Sequence, residues 1–176
     1  MKGITGIGHI AIKVKDLERS LAFYTDKLGF PEMFRLNHAD GRPWLIYLRI
    51  TDEQHLEIFP EAVQDSAPAP DTNGINHFCL IVEDIEKIVG QLEEKSVPLH
   101  SPLKTGADNN RQAWVRDPDG NRIEFMEIGA DALQLKAVKL LQAGAVSDHG
   151  GERPCSMADP LVEQRGGSRA DPTRRL

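Results

Sequence analysis

The chain has 176 residues, 40% hydrophobic content and a formal net charge of −6. This is enough apolar material for one domain, or for two small modules that share a core. The negative charge argues against nucleic acid as a partner, and no apolar run is long enough to cross a membrane. Because there are only two cysteines and the amino terminus lacks the apolar stretch of a signal peptide, we expect a cytoplasmic protein.

The first part of the chain predicts the order β-α-β-β-β. Residues 7–14 alternate as a half-buried strand does, and the following helix begins after Asp16 and ends at Gly29. Three further strands are predicted at 31–37, 43–50 and 54–59. The polar segment 61–73 contains two prolines and shows little periodicity, so it is predicted to be a linker.

The second part of the chain predicts the same order again. A strand at 75–82 is followed by a helix from Asp84 to about Lys95, whose apolar residues recur on one face. AspProAspGly at 117–120 is a strong turn signal between the last two strands. The remaining strands are predicted at 97–103, 111–117 and 121–128.

The carboxyl-terminal part of the chain changes in character. Residues 131–143 predict one more helix, whereas 144–176 are rich in Gly, Pro, Arg and Asp and are expected to be disordered or loosely docked. The predicted fold class is therefore α+β, with one domain formed by two tandem βαβββ modules. The boundaries are 1–130 for the domain, about 6–60 and 74–128 for the modules, and 61–73 for the linker.

The two modules repeat one another in sequence, and each copy carries a histidine and a glutamate at matching places. GIGHIAIKVKDLER and GINHFCLIVEDIEK align without a gap and place His9 on His77, while HLEIF and RIEFM place Glu57 on Glu124. Strand alternation puts all four side chains on the concave face, the side of each sheet away from the helices. Any one of them alone is more simply a solvent-facing residue. Their repetition favours a divalent metal site between the modules.

These motifs resemble the vicinal oxygen chelate superfamily, which includes glyoxalase I, extradiol dioxygenases and bleomycin-resistance proteins. The resemblance covers residues 6–128 and is carried by GHIAIKVKDLERSLAFYTDKLGF, GINHFCLIVEDIEK and the closing DPDGNRIEFMEI. It implies tandem βαβββ modules with a metal site on the concave face. The four ligand positions of glyoxalase I fall on His9, Glu57, His77 and Glu124, and the metal implied is Ni, Co, Mn, Zn or Fe.

The resemblance implies a glyoxalase I-like lyase or isomerase that stabilises a metal-bound enediolate, with a hemithioacetal of a 2-oxoaldehyde as a candidate substrate. Glu124 would be the catalytic base, and Glu57 the opposing ligand and second acid or base. Glu57 favours this activity, since extradiol dioxygenases use three ligands and generally lack an acid at its position. An extradiol-type Fe(II) dioxygenase that uses His9, His77 and Glu124 is the alternative, as is another small-molecule-processing or resistance member.

The expected partners are a small-molecule substrate and a second copy of the chain. Lys13, Lys104 and Arg111 are candidates for binding an anionic part of the substrate. Glutathione itself is put in question, because Lys13 and Glu61 stand where glyoxalase I has Arg and Asn. Many similar proteins are symmetric dimers, so a homodimer is expected, with a site built either within one chain or between two.

Overall fold

The computed structural model describes residues 3–144, and the compact unit that carries the fold runs through Ala137. This unit contains two βαβββ modules, one after the other, so the predicted α+β tandem architecture is confirmed. Within the described residues no helix is long and apolar enough to cross a membrane. The predicted disordered tail lies, apart from Gly144, outside the described residues.

The helix of the first module is capped as predicted but changes its winding. Asp16 accepts a hydrogen bond from the Arg19 amide at 3.1 Å, and α1 then continues as a π-helical segment. The hydroxyl of Thr25 donates to the Leu21 carbonyl at 2.9 Å and so occupies an acceptor of the α-helical ladder. The elements are β1 (His9–Lys13), α1 (Leu17–Leu21), the π-helical segment (Ala22–Lys27), β2 (Glu32–Asn37), β3 (Pro43–Arg49) and β4 (His55–Phe59).

The second module follows the same order, with one strand displaced from its predicted place. The strand predicted at 97–103 begins only at Ser101. Val97 instead belongs to the end of the helix, where its amide donates to the Leu92 carbonyl at 2.8 Å and its side chain is buried. The elements are β5 (Phe78–Ile81), α2 (Ile85–Glu94), β6 (Ser101–Thr105), β7 (Arg111–Arg116) and β8 (Arg122–Glu127), followed by α3 (Leu133–Gln142).

Each module forms a four-stranded sheet in which the first strand lies parallel to the last. The orders are β1-β4-β3-β2 and β5-β8-β7-β6. In the first sheet, β1, which begins at His9, lies directly beside β4, which carries Glu57. In the second sheet, β5, which begins one residue after His77, lies directly beside β8, which carries Glu124. Glu57 is flanked by Ala11 on β1 and Tyr47 on β3, and its counterpart Glu124 by Cys79 on β5 and Trp114 on β7.

The helix-facing sides of both sheets contribute to one hydrophobic core. Apolar side chains of β3, β4, β7 and β8 pack with those of the helices, and the concave faces lie on the other side of each sheet. Members of this core with little or no exposure include Val14, Ile46, Leu56, Ile85, Val115 and Ile123. Because the two modules share this core, their concave faces are both turned away from it.

A buried hydrogen-bond network joins the helix of the first module to the AspProAspGly turn of the second. The hydroxyl of Tyr24 donates to Asp117 Oδ2 at 2.8 Å. Asp117 also accepts from the backbone and side-chain amides of Asn121, at 2.7 and 2.8 Å. Burial raises the pKa of Asp117, and burial together with the charge of Asp117 raises the pKa of Tyr24. The turn motif therefore also connects the modules.

Candidate metal centre

The first histidine and glutamate form a close pair on the concave face of the first sheet. His9 Nε2 lies 3.6 Å from Glu57 Oε2. The carboxylate is almost fully buried, with 8% of its side chain exposed, whereas 52% of the imidazole is exposed. The pair is positioned by the parallel β1–β4 ladder, in which Ala11 is the register partner of Glu57 and His9 is two residues before it.

The second pair repeats this arrangement and is better supported by its neighbours. His77 Nε2 lies 3.2 Å from Glu124 Oε2, and the ring packs edge-on against Trp114 at 4.6 Å between centroids. His77 Nδ1 lies 2.8 Å from Asn76 Oδ1. When Nδ1 carries the proton and donates it to this oxygen, Nε2 keeps a free lone pair beside the carboxylate. In this tautomer Asn76 orients the imidazole as a metal ligand requires.

The separation within each pair suits two ligands of one cation. Imidazole nitrogens and carboxylate oxygens bind divalent transition metals at about 2.0 to 2.2 Å, which places neighbouring ligand atoms roughly 3 to 3.5 Å apart. The separation of 3.2 Å in the second pair falls within this range, and that of 3.6 Å in the first pair lies just above it. Two neutral imidazoles and two carboxylates would also balance the charge of a divalent ion.

The two pairs do not meet within a single chain. No group of three or more His, Cys, Asp or Glu side chains is arranged to hold a metal ion anywhere in the described part of the chain. The sequence left open whether the site forms within one chain or between two, and within one chain the four side chains remain as two separate half-sites. The helix-facing sides of both sheets share one core, and the two pairs lie on the opposite sides of their sheets.

The two carboxylates differ in their immediate surroundings. Tyr47 lies opposite Glu57, and hydrogen bonding to this carboxylate raises the pKa of the phenol. Glu124 has Cys79 and Trp114 beside it instead. Burial, assisted by the charge of Glu124, raises the pKa of Cys79 to about 12, so this thiol stays protonated at neutral pH. The two carboxylates therefore differ in their neighbours, a phenol beside Glu57 and a protonated thiol with an indole beside Glu124.

The three predicted substrate-binding cations fall in different places. Lys13 lies on the concave face of β1, and Lys104 is paired with Gln112 on the concave face of β7. Arg111 lies on the opposite side, where it contacts Glu86 of α2 at 2.6 Å and Glu127 at 3.6 Å. The structure therefore directs Arg111 toward a helix and away from the two His–Glu pairs.

Sequence reasoning missed two arginines on the same face as the second pair. Arg122 precedes Glu124 by two residues on β8, and Arg116 is its register partner on β7. Strand alternation alone could have found both of them. Arg122 also lines a cavity of about 580 Å³, together with Lys13, His77 and part of the linker.

Tandem βαβββ modules, each with an imidazole and a carboxylate at equivalent places on its concave face, define a class of duplicated α+β proteins. The family model of the Glyoxalase/Bleomycin resistance protein/Dioxygenase superfamily matches residues 6–125. The chain belongs to this superfamily.

Relatives with different activities resemble the chain at similar identity. A lactoylglutathione lyase of Pseudomonas putida is 26% identical, with 68% of this chain and 83% of the lyase covered. An iron-dependent extradiol dioxygenase of Rhodococcus jostii is 29% identical, with 70% of this chain but 43% of the dioxygenase covered. Among solved structures, a glyoxalase family protein from Enterococcus faecalis is 27% identical, with a TM-score of 0.62 and with 69% of this chain and 97% of that chain covered.

Proposed function

We propose that the protein is a metal-dependent lyase or isomerase of the glyoxalase I kind, which works as a homodimer with its metal centres between subunits. His9 and Glu57 of one subunit would hold the ion together with His77 and Glu124 of the other. The observation that carries this proposal is the pair of half-sites, each with the spacing of adjacent metal ligands and each on a face that the chain's own core leaves open. In a twofold symmetric dimer, the first half-site of each subunit would meet the second half-site of the other, which gives two complete sites.

The buried Glu57 favours a lyase over the alternative Fe(II) dioxygenase. A three-ligand iron site built from His9, His77 and Glu124 would leave this carboxylate buried beside an imidazole without a role. The lengths of the relatives agree, because the chain spans 83% of the Pseudomonas lyase but 43% of the Rhodococcus dioxygenase. A four-ligand site built from two half-sites therefore gives every one of these side chains a role, which a three-ligand iron site does not.

The surroundings of Glu124 and Glu57 suggest a different catalytic role for each. A bound cation would act as a Lewis acid toward the negative charge that develops beside the substrate carbonyl. Glu124 would remove the proton from the carbon next to that carbonyl, with Cys79 and Trp114 restricting the access of water to the carboxylate. Glu57, beside Tyr47, would be the more firmly held carboxylate and would serve mainly as a ligand.

A mixed-dimer experiment tests the proposal directly. One variant carries His9→Ala and Glu57→Gln, and the other carries His77→Ala and Glu124→Gln. Each homodimer would then lack half of every site, whereas the mixed dimer would contain one intact site and one site without ligands. We expect metal binding and turnover of methylglyoxal-derived hemithioacetals in the mixed dimer, at about half the wild-type level, because one of two equivalent sites survives.

The same assay separates the competing possibilities. Co-expression with two different tags allows the mixed dimer to be purified, and metal analysis is run beside activity. Absence of metal from the mixed dimer, with full occupancy in the wild type, would refute a centre shared between subunits. Oxygen uptake with catechols and Fe(II), and none of the isomerase reaction, would favour the dioxygenase.

A further inference from the structure

Two of the arginines differ from the others in their charge environment. Seven arginines lie within residues 3–144, and five of them contact a carboxylate at 4.0 Å or less. For Arg116 and Arg122 no such ion pair is found among the described residues. In a chain of net charge −6, two cations without a carboxylate partner are an informative exception.

These two arginines are also neighbours. Arg116 and Arg122 are register partners on β7 and β8, on the concave face that carries Glu124. Like charges placed opposite each other on a sheet repel, so the arrangement destabilises the fold unless something else compensates. Arg122 is two residues from Glu124, which corresponds to roughly 7 Å along the strand.

The contacts that orient the two guanidinium groups involve no carboxylate. Arg116 lies against the ring of His100, with nitrogen–nitrogen distances of 3.2 and 3.4 Å, and donates to the Gly120 carbonyl at 3.3 Å. Arg122 donates to the backbone carbonyl of Asn76, the residue that supports His77. These contacts fix both side chains in place and leave their positive charge uncompensated.

The internal repeat offers a comparison within the same molecule. Arg49 and His55 are register partners in the first sheet, at the positions equivalent to Arg116 and Arg122 in the second. Arg49 is neutralised by Asp52 at 2.8 Å. Asp119 lines the cavity beside Arg122, but its carboxylate already pairs with Arg19 at 3.0 Å and accepts a hydrogen bond from the backbone amide of Lys15. Only the second module therefore presents an open cationic pair next to its half-site.

We propose that Arg116 and Arg122 form an anion-binding subsite, which recognises a carboxylate or phosphate group of the substrate beside the metal centre. This inference rests on the proposed function, because the subsite would serve the reaction at Glu124. It adds that the substrate carries an anionic group. Guanidinium groups bind both kinds of anion through paired N–H donors, which gives orientation as well as affinity. An anion here would hold the reacting carbon of a small substrate near Glu124.

Direct binding of simple anions tests the subsite in the full-length protein. Inorganic phosphate and succinate are titrated separately at low ionic strength and followed by calorimetry, for the wild type and for Arg116→Gln and Arg122→Gln. We expect each substitution to weaken the preferred anion about tenfold, the effect of losing one charge-assisted contact. The tighter of the two anions identifies the group that the site prefers.

The repeat also supplies the control. Arg49→Gln removes an equal charge at the equivalent place and should leave the affinity within about twofold, because that arginine is already neutralised. Arg122→Lys, which keeps the charge but loses the fork, should fall between the wild type and Arg122→Gln. Melting temperatures confirm that each variant is folded.

The outcome is independent of the metal centre. Binding is measured again after the metal has been removed by chelation and dialysis, and the arginine-dependent component should persist. No anion binding by the wild type at millimolar concentration, wild-type affinity in both Gln variants, or equal weakening by Arg49→Gln would each overturn the subsite. Failure of the mixed-dimer experiment with persistent arginine-dependent binding would refute the shared metal centre of the proposed function and leave the subsite standing.

Discussion

His77 Nε2 lies 3.2 Å from Glu124 Oε2, while the other ring nitrogen of His77 lies 2.8 Å from the side-chain oxygen of Asn76. The imidazole thus has a partner at each nitrogen, the carboxylate with which it would share a metal and the side-chain amide of Asn76. His9 faces Glu57 at 3.6 Å with more than half of its side chain exposed. The second half-site is accordingly the more preorganised of the two.

Replacing Glu124 by Gln should abolish turnover and leave the fold intact. The amide has nearly the same shape, but it cannot accept the substrate proton, and losses of about a hundredfold or more are expected when a general base is removed. Steady-state kinetics and circular dichroism provide the measurement. Glu57→Gln is the matched variant in the other module and should mainly lower metal occupancy. Activity of Glu124→Gln near the wild-type level would assign the base elsewhere.

Replacing Asn76 by Ala should weaken metal binding without removing any proposed ligand. Loss of the hydrogen bond frees the ring of His77 to rotate and to change tautomer, and loss of such supporting contacts commonly costs about 10- to 100-fold in metal affinity. Competition with a chromogenic chelator measures the change. Asn73→Ala, an exposed position in the preceding linker, is the control. Equal metal affinities in the two variants would show that Asn76 does not support the ligand.

Replacing Tyr24 by Phe should lower the free energy of unfolding by about 1 to 3 kcal/mol, because it removes a buried donor to Asp117. Urea denaturation followed by circular dichroism measures the loss. Tyr47→Phe removes a hydroxyl from a less buried tyrosine, whose partner Glu57 keeps His9 beside it, and should have the smaller effect. If Tyr24→Phe were as stable as the wild type, the hydrogen bond between the modules would contribute nothing to stability.

Asp117 should give the protein a distinctive dependence on pH. Burial raises the pKa of this carboxyl in the folded state above its usual value of 3.8, so the folded protein binds the proton more tightly than the unfolded chain. As the pH falls from 7 toward 4, protonation of Asp117 therefore favours folding. The free energy of unfolding of the wild type should rise relative to that of Asp117→Asn over this interval.

Urea titrations at several pH values check this expectation, with Asp71→Asn, at an exposed linker position, as the reference for ordinary carboxylates. The difference between the wild type and Asp71→Asn should change much less with pH. A wild type that loses stability relative to Asp117→Asn on acidification would mean that the folded state prefers the ionised form of Asp117.

The sequence by itself determined the two modules and the four candidate ligands, because both follow from local patterns. The repeat aligned His9 with His77 and Glu57 with Glu124, and a period of two assigned each to the concave face. The same pattern contained Arg116 and Arg122. These two arginines stand out because the other arginines of the described residues pair with carboxylates. Pairs between residues distant in sequence, such as Arg111 and Glu86, are not revealed by any local pattern.

Only the tertiary structure decided how the halves are arranged. The duplicated pattern is compatible with concave faces that close on each other within one chain and with faces that remain open for a second chain. The structure packs both helix-facing surfaces into one core, joined by Tyr24 and Asp117, and does not bring the two His–Glu pairs together within one chain. Burial of apolar surface depends on contacts between residues far apart in sequence. The sequence pattern could therefore group the four candidate ligands, but it could not show that the described part of the chain brings no more than two of them together.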